Sequence, residues 1–325
     1  MQTSSNLAKY AFIAVAGLAF VAGFFFKDNK PGRENTPAQQ TPLISLDQYL
    51  VPIPPELIGY QEIDQIETEL EKVSAIAVQG ANLYLAGDRE IRIYRSAGSE
   101  FTRIELAQPA TAMAVSPAGQ IYAGFYNHVQ VFSPAGKLVG TWELIPGEAH
   151  ITSIAAGEKD ILVADAGNRI VWRYQLNGKI AGRIGERNVD AGQLGFVIPG
   201  PFFDIALADE DVLWAVNPGM LALQNYSLDG KMRSSWQKIS VDVDGFCGCC
   251  NPTHLALLPD GAFVTAEKGI PRVKVHEPGG DLRTVVAGPK QFAEGVVIAD
   301  LAVDAQQHIL VLDPAAKAVR IFAQK

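Results

Sequence analysis

Three cysteines and a histidine fall on eight consecutive residues, Cys247, Cys249, Cys250 and His254, in the string CGCCNPTH. Thiolate sulfur and imidazole nitrogen together suit copper(I) and zinc, and neighbouring thiols are also the material of disulfide exchange. Gly248 and the Asn251–Pro252 pair favour a sharp bend that would turn several sulfurs toward one centre. Four readings of the string stay open. It could be a copper or zinc site with His254, or a disulfide joining Cys250 to Cys247 or Cys249. It could also be part of an iron–sulfur cluster completed from elsewhere, or simply small buried side chains. The spacing matches no standard zinc-finger pattern. The chain has no other cysteine, so no disulfide framework staples the fold. The stretch TAEKGIPRVKV (265–275) adds Glu267, Lys268 and Arg272, and cations beside a thiol favour the reactive thiolate.

No complete catalytic constellation accompanies these residues. The chain has no G-x-S-x-G elbow, no HExxH pair, no Walker loop and no dinucleotide-binding glycine fingerprint. With 27 basic against 35 acidic residues the net charge is −8, so no global field would hold a phosphate backbone, and nucleic acid is not an expected partner.

The elements that must position these groups are repeats. An apolar segment with alanine at its fourth position recurs as SAIAV, TAMAV, TSIAA and FDIAL, then in shorter form as HLAL and as ADLAV. The alanines are Ala77, Ala114, Ala155, Ala206, Ala256 and Ala302. Each copy is followed by a second apolar strand (such as NLYLAG or ILVADA), then a third of β-branched or alternating pattern (IRIYR, VKVHE). A Gly- or Asn-containing turn and a fourth strand complete the unit. Four strands per unit at a period of about 40 to 50 residues is the pattern of a β-propeller. The sixth unit reaches Lys325 one strand short, and the alternating segment Ile58 to Glu67 upstream is free to supply it. The expected fold is therefore all-β, a six-bladed propeller closed by an N-terminal strand, which leaves no open sheet edge.

In such a ring the first strand of each blade lines the axis. The residue two before each repeat alanine then lies near the upper mouth: Ala75, Ala112, Ser153, Asp204, His254 and Asp300. Asp204, His254 and Asp300 form a polar arc in blades four to six. Hydrogen bonding to a neighbouring blade's backbone is the structural explanation for such residues. The cysteine string lies in an insertion, residues 238–254, that leads into His254.

The segment VADAGNRIVWRYQLNGKIAGRIG (163–185) resembles an NHL repeat, with Asp165, Asn168, Arg169 and the NGK turn in their usual order. Residues 117–142 are a looser copy. The resemblance implies a six-bladed propeller and leaves the chemistry open, since such propellers include scaffolds, peptide binders, lyases and lactonases. It implies a structural role for Asp165 and Arg169. It also permits comparison with the amidating lyases that hold zinc through axial histidines. Here that comparison points to His128 and His150 on top-face loops beside His254 as an alternative metal set. The metal ligands of the lactonase type have no clear counterpart.

Ahead of the repeats, Tyr10 to Phe26 is a 17-residue run without a charge, flanked by Lys9 and Lys27. At about 1.5 Å per residue it is near the lower limit for crossing a bilayer. Its best cleavage site, Val21-Ala22-Gly23, leads into three phenylalanines and is a poor exit. The expected organisation is a signal anchor over 1–26, a Pro- and Gln-rich flexible linker over 27–44 and a propeller over 45–325. The whole reads as a membrane-tethered extracytoplasmic binding or scaffold module that meets a protein or small ligand on its top face. The alternative is a metal-dependent propeller lyase or hydrolase.

Overall fold

The computed structural model describes residues 52–95, 101–190, 193–209 and 212–325. They form twenty-four strands in six four-stranded antiparallel sheets. The expected anchor and linker lie outside these residues. Among the described residues no helix is long and apolar enough to cross a membrane.

β1 (Tyr60–Glu67) precedes the first complete blade. Blade one is β2 (Val73–Gln79), β3 (Asn82–Gly87), β4 (Glu90–Arg95) and β5 (Phe101–Glu105). Blades two and three are β6 to β9 (from Ala112 to Thr141) and β10 to β13 (from Ile151 to Ile184). Blade four is β14 (Ile205–Asp209), β15 (Val212–Asn217), β16 (Ala222–Ser227) and β17 (Met232–Gln237). Blade five is β18 (His254–Leu257), β19 (Phe263–Glu267), β20 (Arg272–His276) and β21 (Leu282–Ala287). Blade six is β22 (Asp300–Val303), β23 (Ile309–Asp313) and β24 (Ala318–Gln324), completed by β1.

The closing strand sits where the sequence places it. β1 runs antiparallel to β24 from Tyr60 opposite Gln324 to Glu67 opposite Ala318, with an irregularity between Glu62 and Asp64. Arg320 clamps the seam. Its guanidinium meets both carboxylate oxygens of Glu62 on β1, at 3.0 and 2.6 Å, and Asp313 at 3.3 Å.

Each sheet is apolar on both faces and is buried by its neighbours. Leu70, Leu83 and Tyr94 of the first unit pack with Leu310, Leu312 and Val319 of the sixth, so the closure seam is filled as the other blade junctions are. Leu162, Phe203, Leu213 and Phe263 carry a larger cluster across blades three to five. Near the axis the inner strands crowd together, and the repeat alanines satisfy that limit because a larger side chain on every blade would not fit the taper.

Breaking a buried ion pair by removing one partner costs about 3 to 5 kcal/mol. Since Glu62 is partly exposed, Arg320→Ala is expected near the lower end, about 3 kcal/mol, as a fall in the urea midpoint. An unchanged midpoint would mean that backbone pairing and apolar packing hold the seam without the clamp.

Candidate functional site

All six mouth residues reach the axis. Ala75, Ala112, Ser153, Asp204, His254 and Asp300 line one axial cavity of about 90 Å³. Three of the polar ones fasten consecutive blades. Ser153 Oγ accepts from the Ile205 amide at 3.3 Å, Asp204 from the Leu255 amide at 2.8 Å, and Asp300 from the Ile76 amide at 2.9 Å across the closure seam. Each aspartate also accepts from the amide that follows it, at 2.8 Å. The hydrogen bonding to neighbouring blades that the sequence allowed is therefore present for Ser153, Asp204 and Asp300.

His254 reaches the next blade differently, through the backbone of Ile298 ahead of β22, while the Leu301 amide bonds to Asp300. The imidazole Nδ1 faces Asp204 Oδ2 at 3.5 Å and Asp300 Oδ1 at 3.8 Å. Burial pulls the imidazole down, but the hydrogen bond and charge of Asp204, the charge of Asp300 and the Ile298 backbone outweigh it, so His254 is held above its ordinary range. Asp300 is pushed up to about 7, first by burial and then by the charge of Asp204. Blades one and two carry Ala75 and Ala112 at the same level, so the cavity has one acidic wall and one without ionisable groups.

The cysteines belong elsewhere. Cys247 and Cys249 are half-buried, Cys250 is buried, and all three are free thiols. Among the described residues, the one group of three or more His, Cys, Asp or Glu donors that converges is Asp204, His254 and Asp300. His254 opens an inner strand and faces the axis, whereas the three thiols ride on the insertion before it. The structure thus separates two features that the sequence string places together.

The insertion is tightly built. Phe246 is fully buried, close to Trp236 and His276, with Lys274 Nζ 4.6 Å from its ring centre. Asn251 Nδ2 donates to the carbonyls of Cys247 at 2.7 Å and Lys268 at 3.1 Å, and its Oδ1 accepts from the Lys268 amide at 2.9 Å. Gly248 has φ +72°, a backbone state that suits glycine, and Cys250 shares it at +68°. The Asn251–Pro252 peptide is cis.

Glu267 and Arg272 lie beneath the loop, buried, with a partner that the sequence reading missed. Glu267 binds Arg272 at 2.7 and 3.0 Å and Lys274 Nζ at 2.7 Å. The two cations donate onward to the insertion: Arg272 to the Asp242 carbonyl at 3.1 Å, Lys274 to the Gly245 carbonyl at 2.7 Å. Burial pulls Lys274 down to about 8. In sequence Lys274 stands between Val273 and Val275, where strand alternation suggests a solvated face. Its place under an insertion was the missing information.

These charges do not activate the thiols as their proximity suggested. Burial raises Cys247 and Glu267 raises it further, outweighing Arg272 and Lys274, although Arg272 approaches its sulfur at 3.9 Å. Cys250 is pushed up to about 11, by burial and then by Cys249, against the charge of Lys268. Lys268 itself lies over the Phe202 ring at 5.2 Å. Both shifted thiols therefore hold their protons near neutrality.

His128 and His150 do not join His254. His128 stacks on Phe125 at 5.0 Å and His150 on Tyr126 at 4.4 Å, and burial lowers both. Asp165 has the structural role expected of it. Fully buried, it accepts from the amides of His150, Gly167 and Asn168 and from the side chains of Asn168 and Trp172.

No known family's sequence profile matches the chain, and no curated protein matches its sequence. Solved structures do match its fold. The WD40 β-propeller domain of Doa1 superposes with a TM-score of 0.57 at 14% identity, covering 82% of this chain and 98% of that one. A structural-genomics protein of unknown function from Bacteroides thetaiotaomicron gives 0.61 at 13%, covering 82% and 76%. A catalytically inactive virginiamycin B lyase from Staphylococcus aureus with quinupristin gives 0.56 at 12%, covering 80% and 83%. At these identities the likeness establishes the propeller and carries no activity with it.

Glu267→Gln would leave Arg272 and Lys274 as buried cations without a counter-charge. It is expected to cost about 3 to 5 kcal/mol in denaturant unfolding and to speed alkylation of Cys247 as the insertion loosens. Unchanged stability and unchanged thiol accessibility would show that Phe246 and Asn251 hold the loop without the charge cluster.

Proposed function

We propose that this protein is a binding module that takes a protein partner on the top face of its propeller. The supporting observation is a set of exposed apolar side chains on that face. Tyr126, Leu144, Val189, Leu194, Met220 and Ile239 are all exposed, Leu194 by 76% and Leu144 by 66%. All six sit on second-to-third-strand turns or on connections between blades, which share that face. They run from blade two to the insertion before blade five. Val197 on the connection before blade four adds another, while Ile63, Leu138, Val139, Leu176, Ile180 and Met232 are exposed on outer strands and a bottom turn, so the top-face set is proposed as the contact surface from its place on the connections. Aromatic and methionine side chains are the usual anchors of such contacts.

Size argues against an axial enzyme for an organic substrate. Pockets that enclose drug-sized molecules occupy about 300 to 1,000 Å³, and the cavity at the axis is about 90 Å³. The three thiols are proposed as a second feature of the binding face, a soft-metal or redox-responsive loop. Their clustering on four residues supports this, and the raised proton affinities of Cys247 and Cys250 oppose spontaneous reactivity. The module is further proposed to be held at a membrane by residues 10–26 through the linker 27–44, with the propeller outside the cytoplasm. The uncharged 17-residue run supports the anchor, and the layout of an anchor followed by a polar linker supports an exported propeller, against the basic residues Lys27, Lys30 and Arg33 that follow the run.

Two measurements test these readings. In crosslinking from native membranes, the triple variant Tyr126→Ser, Leu144→Ser, Leu194→Ser should lose the partners captured by the wild type. The bottom-face and outer-strand control Leu176→Ser, Met232→Ser should keep them, and thermal melts should stay within a few degrees. Identical capture by both variants would refute top-face binding. The full chain should also stay with membranes through an alkaline carbonate wash and be released by deletion of residues 10–26. A wild-type chain recovered in the wash with its N-terminus removed would refute the anchor.

A further inference from the structure

We propose that Asp204, His254 and Asp300 form a binding site for a divalent transition-type cation such as zinc, at the top of the propeller axis. Geometry carries the argument first. One donor atom from each of the three residues lies within 4.8 Å of the others. His254 Nδ1 stands 3.5 Å from Asp204 Oδ2 and 3.8 Å from Asp300 Oδ1. Atoms each about 2.1 Å from a tetrahedral centre stand about 3.4 Å apart. The two distances from Nδ1 are thus within a few tenths of an ångström of that spacing.

Charge is the second observation. Two carboxylates and one imidazole converge in a cavity whose lining includes no lysine or arginine. Among the lining residues His254 is the one basic group, so no fixed cation occupies the place between the two carboxylates. A divalent cation neutralises both carboxylates and frees His254 to bind through Nδ1 as a neutral ligand.

The third observation is that Ser153, Asp204 and Asp300 each hold an inner-strand amide of the next blade, whereas His254 meets the Ile298 backbone and turns Nδ1 toward both carboxylates. Backbone amides hold both carboxylates, those of Ile205 and Leu255 on Asp204 and those of Ile76 and Leu301 on Asp300, and the Ile298 backbone steadies the imidazole, as supporting contacts do for metal ligands. The donor set selects the ion. Calcium takes about six to eight oxygen ligands, more than this wall offers, whereas one nitrogen and two carboxylate oxygens suit zinc, manganese or iron(II). A cavity of about 90 Å³ leaves room for an ion and bound water.

The test is titration of the full chain, stripped with chelator, by zinc in a calorimeter and by cobalt(II) in the visible spectrum. Three variants accompany the wild type: His254→Ala, Ser153→Ala, and the triple change of Cys247, Cys249 and Cys250 to Ser. The wild type should bind one equivalent. His254→Ala should weaken binding by about 100-fold or more while its circular dichroism and melting temperature stay near wild type. Ser153→Ala and the cysteine variant should bind as the wild type does, and the cobalt spectrum should lack thiolate charge-transfer bands. Three outcomes overturn the proposal: no stoichiometric binding by the wild type, equal affinity in His254→Ala, or loss of binding with the cysteines. Should His254→Ala fail to fold, His254→Gln replaces it. Histidine proton resonances shifted by zinc in the wild type then locate the ion at His254 or away from it.

Discussion

Closure of the ring is the constraint on which everything else depends. Each four-stranded sheet is apolar on both faces and so is stable only between two neighbours, which an open row of six sheets denies to the end members. Pairing β1 with β24 joins the first unit to the last. Leu70, Leu83 and Tyr94 then find Leu310, Leu312 and Val319, and the sixth sheet gains a fourth strand. The Asp300 contact with the Ile76 amide and the Arg320 clamp on Glu62 are polar versions of the same requirement. They bind residues more than 200 positions apart.

Closure also creates the axial chemistry. Six inner strands converge on one axis, where side chains near the repeat alanines must be small and those at the mouth must be satisfied. Ser153, Asp204 and Asp300 meet that requirement by accepting amides of the next blade. The cost is a buried pair of carboxylates, which raises the proton affinity of Asp300 and leaves His254 facing both. Structural fastening and ligand-binding capacity thus arise from the same residues. The connections between blades carry no such constraint, and the insertion before blade five is one of them.

The insertion shows how an elaborate loop is kept in place on a rigid ring. Its backbone carbonyls are held by Arg272 and Lys274 from below, Phe246 fills the space beside Trp236 and His276, and Asn251 ties its end to Lys268. Glu267 neutralises the two cations, which act as fasteners, and burial together with Glu267 outweighs their pull on the Cys247 proton.

Much of this was legible in the residues alone. The spacing of the repeat alanines determined six units, the missing last strand determined where the chain must close, and period-two counting placed Asp204, His254 and Asp300 at one mouth. Those are local, periodic signals, and strand geometry converts them directly into position. What residues 247–254 would do was not legible. Neighbours in sequence suggested one centre of sulfur and nitrogen, but a strand start turns His254 to the axis while the thiols ride on a loop packed over Glu267, Arg272 and Lys274. Only tertiary structure decides which distant groups share a cavity, which charges are already neutralised and how deeply each is buried. These three factors set proton affinity and ligand geometry, and none of them is a function of spacing along the chain.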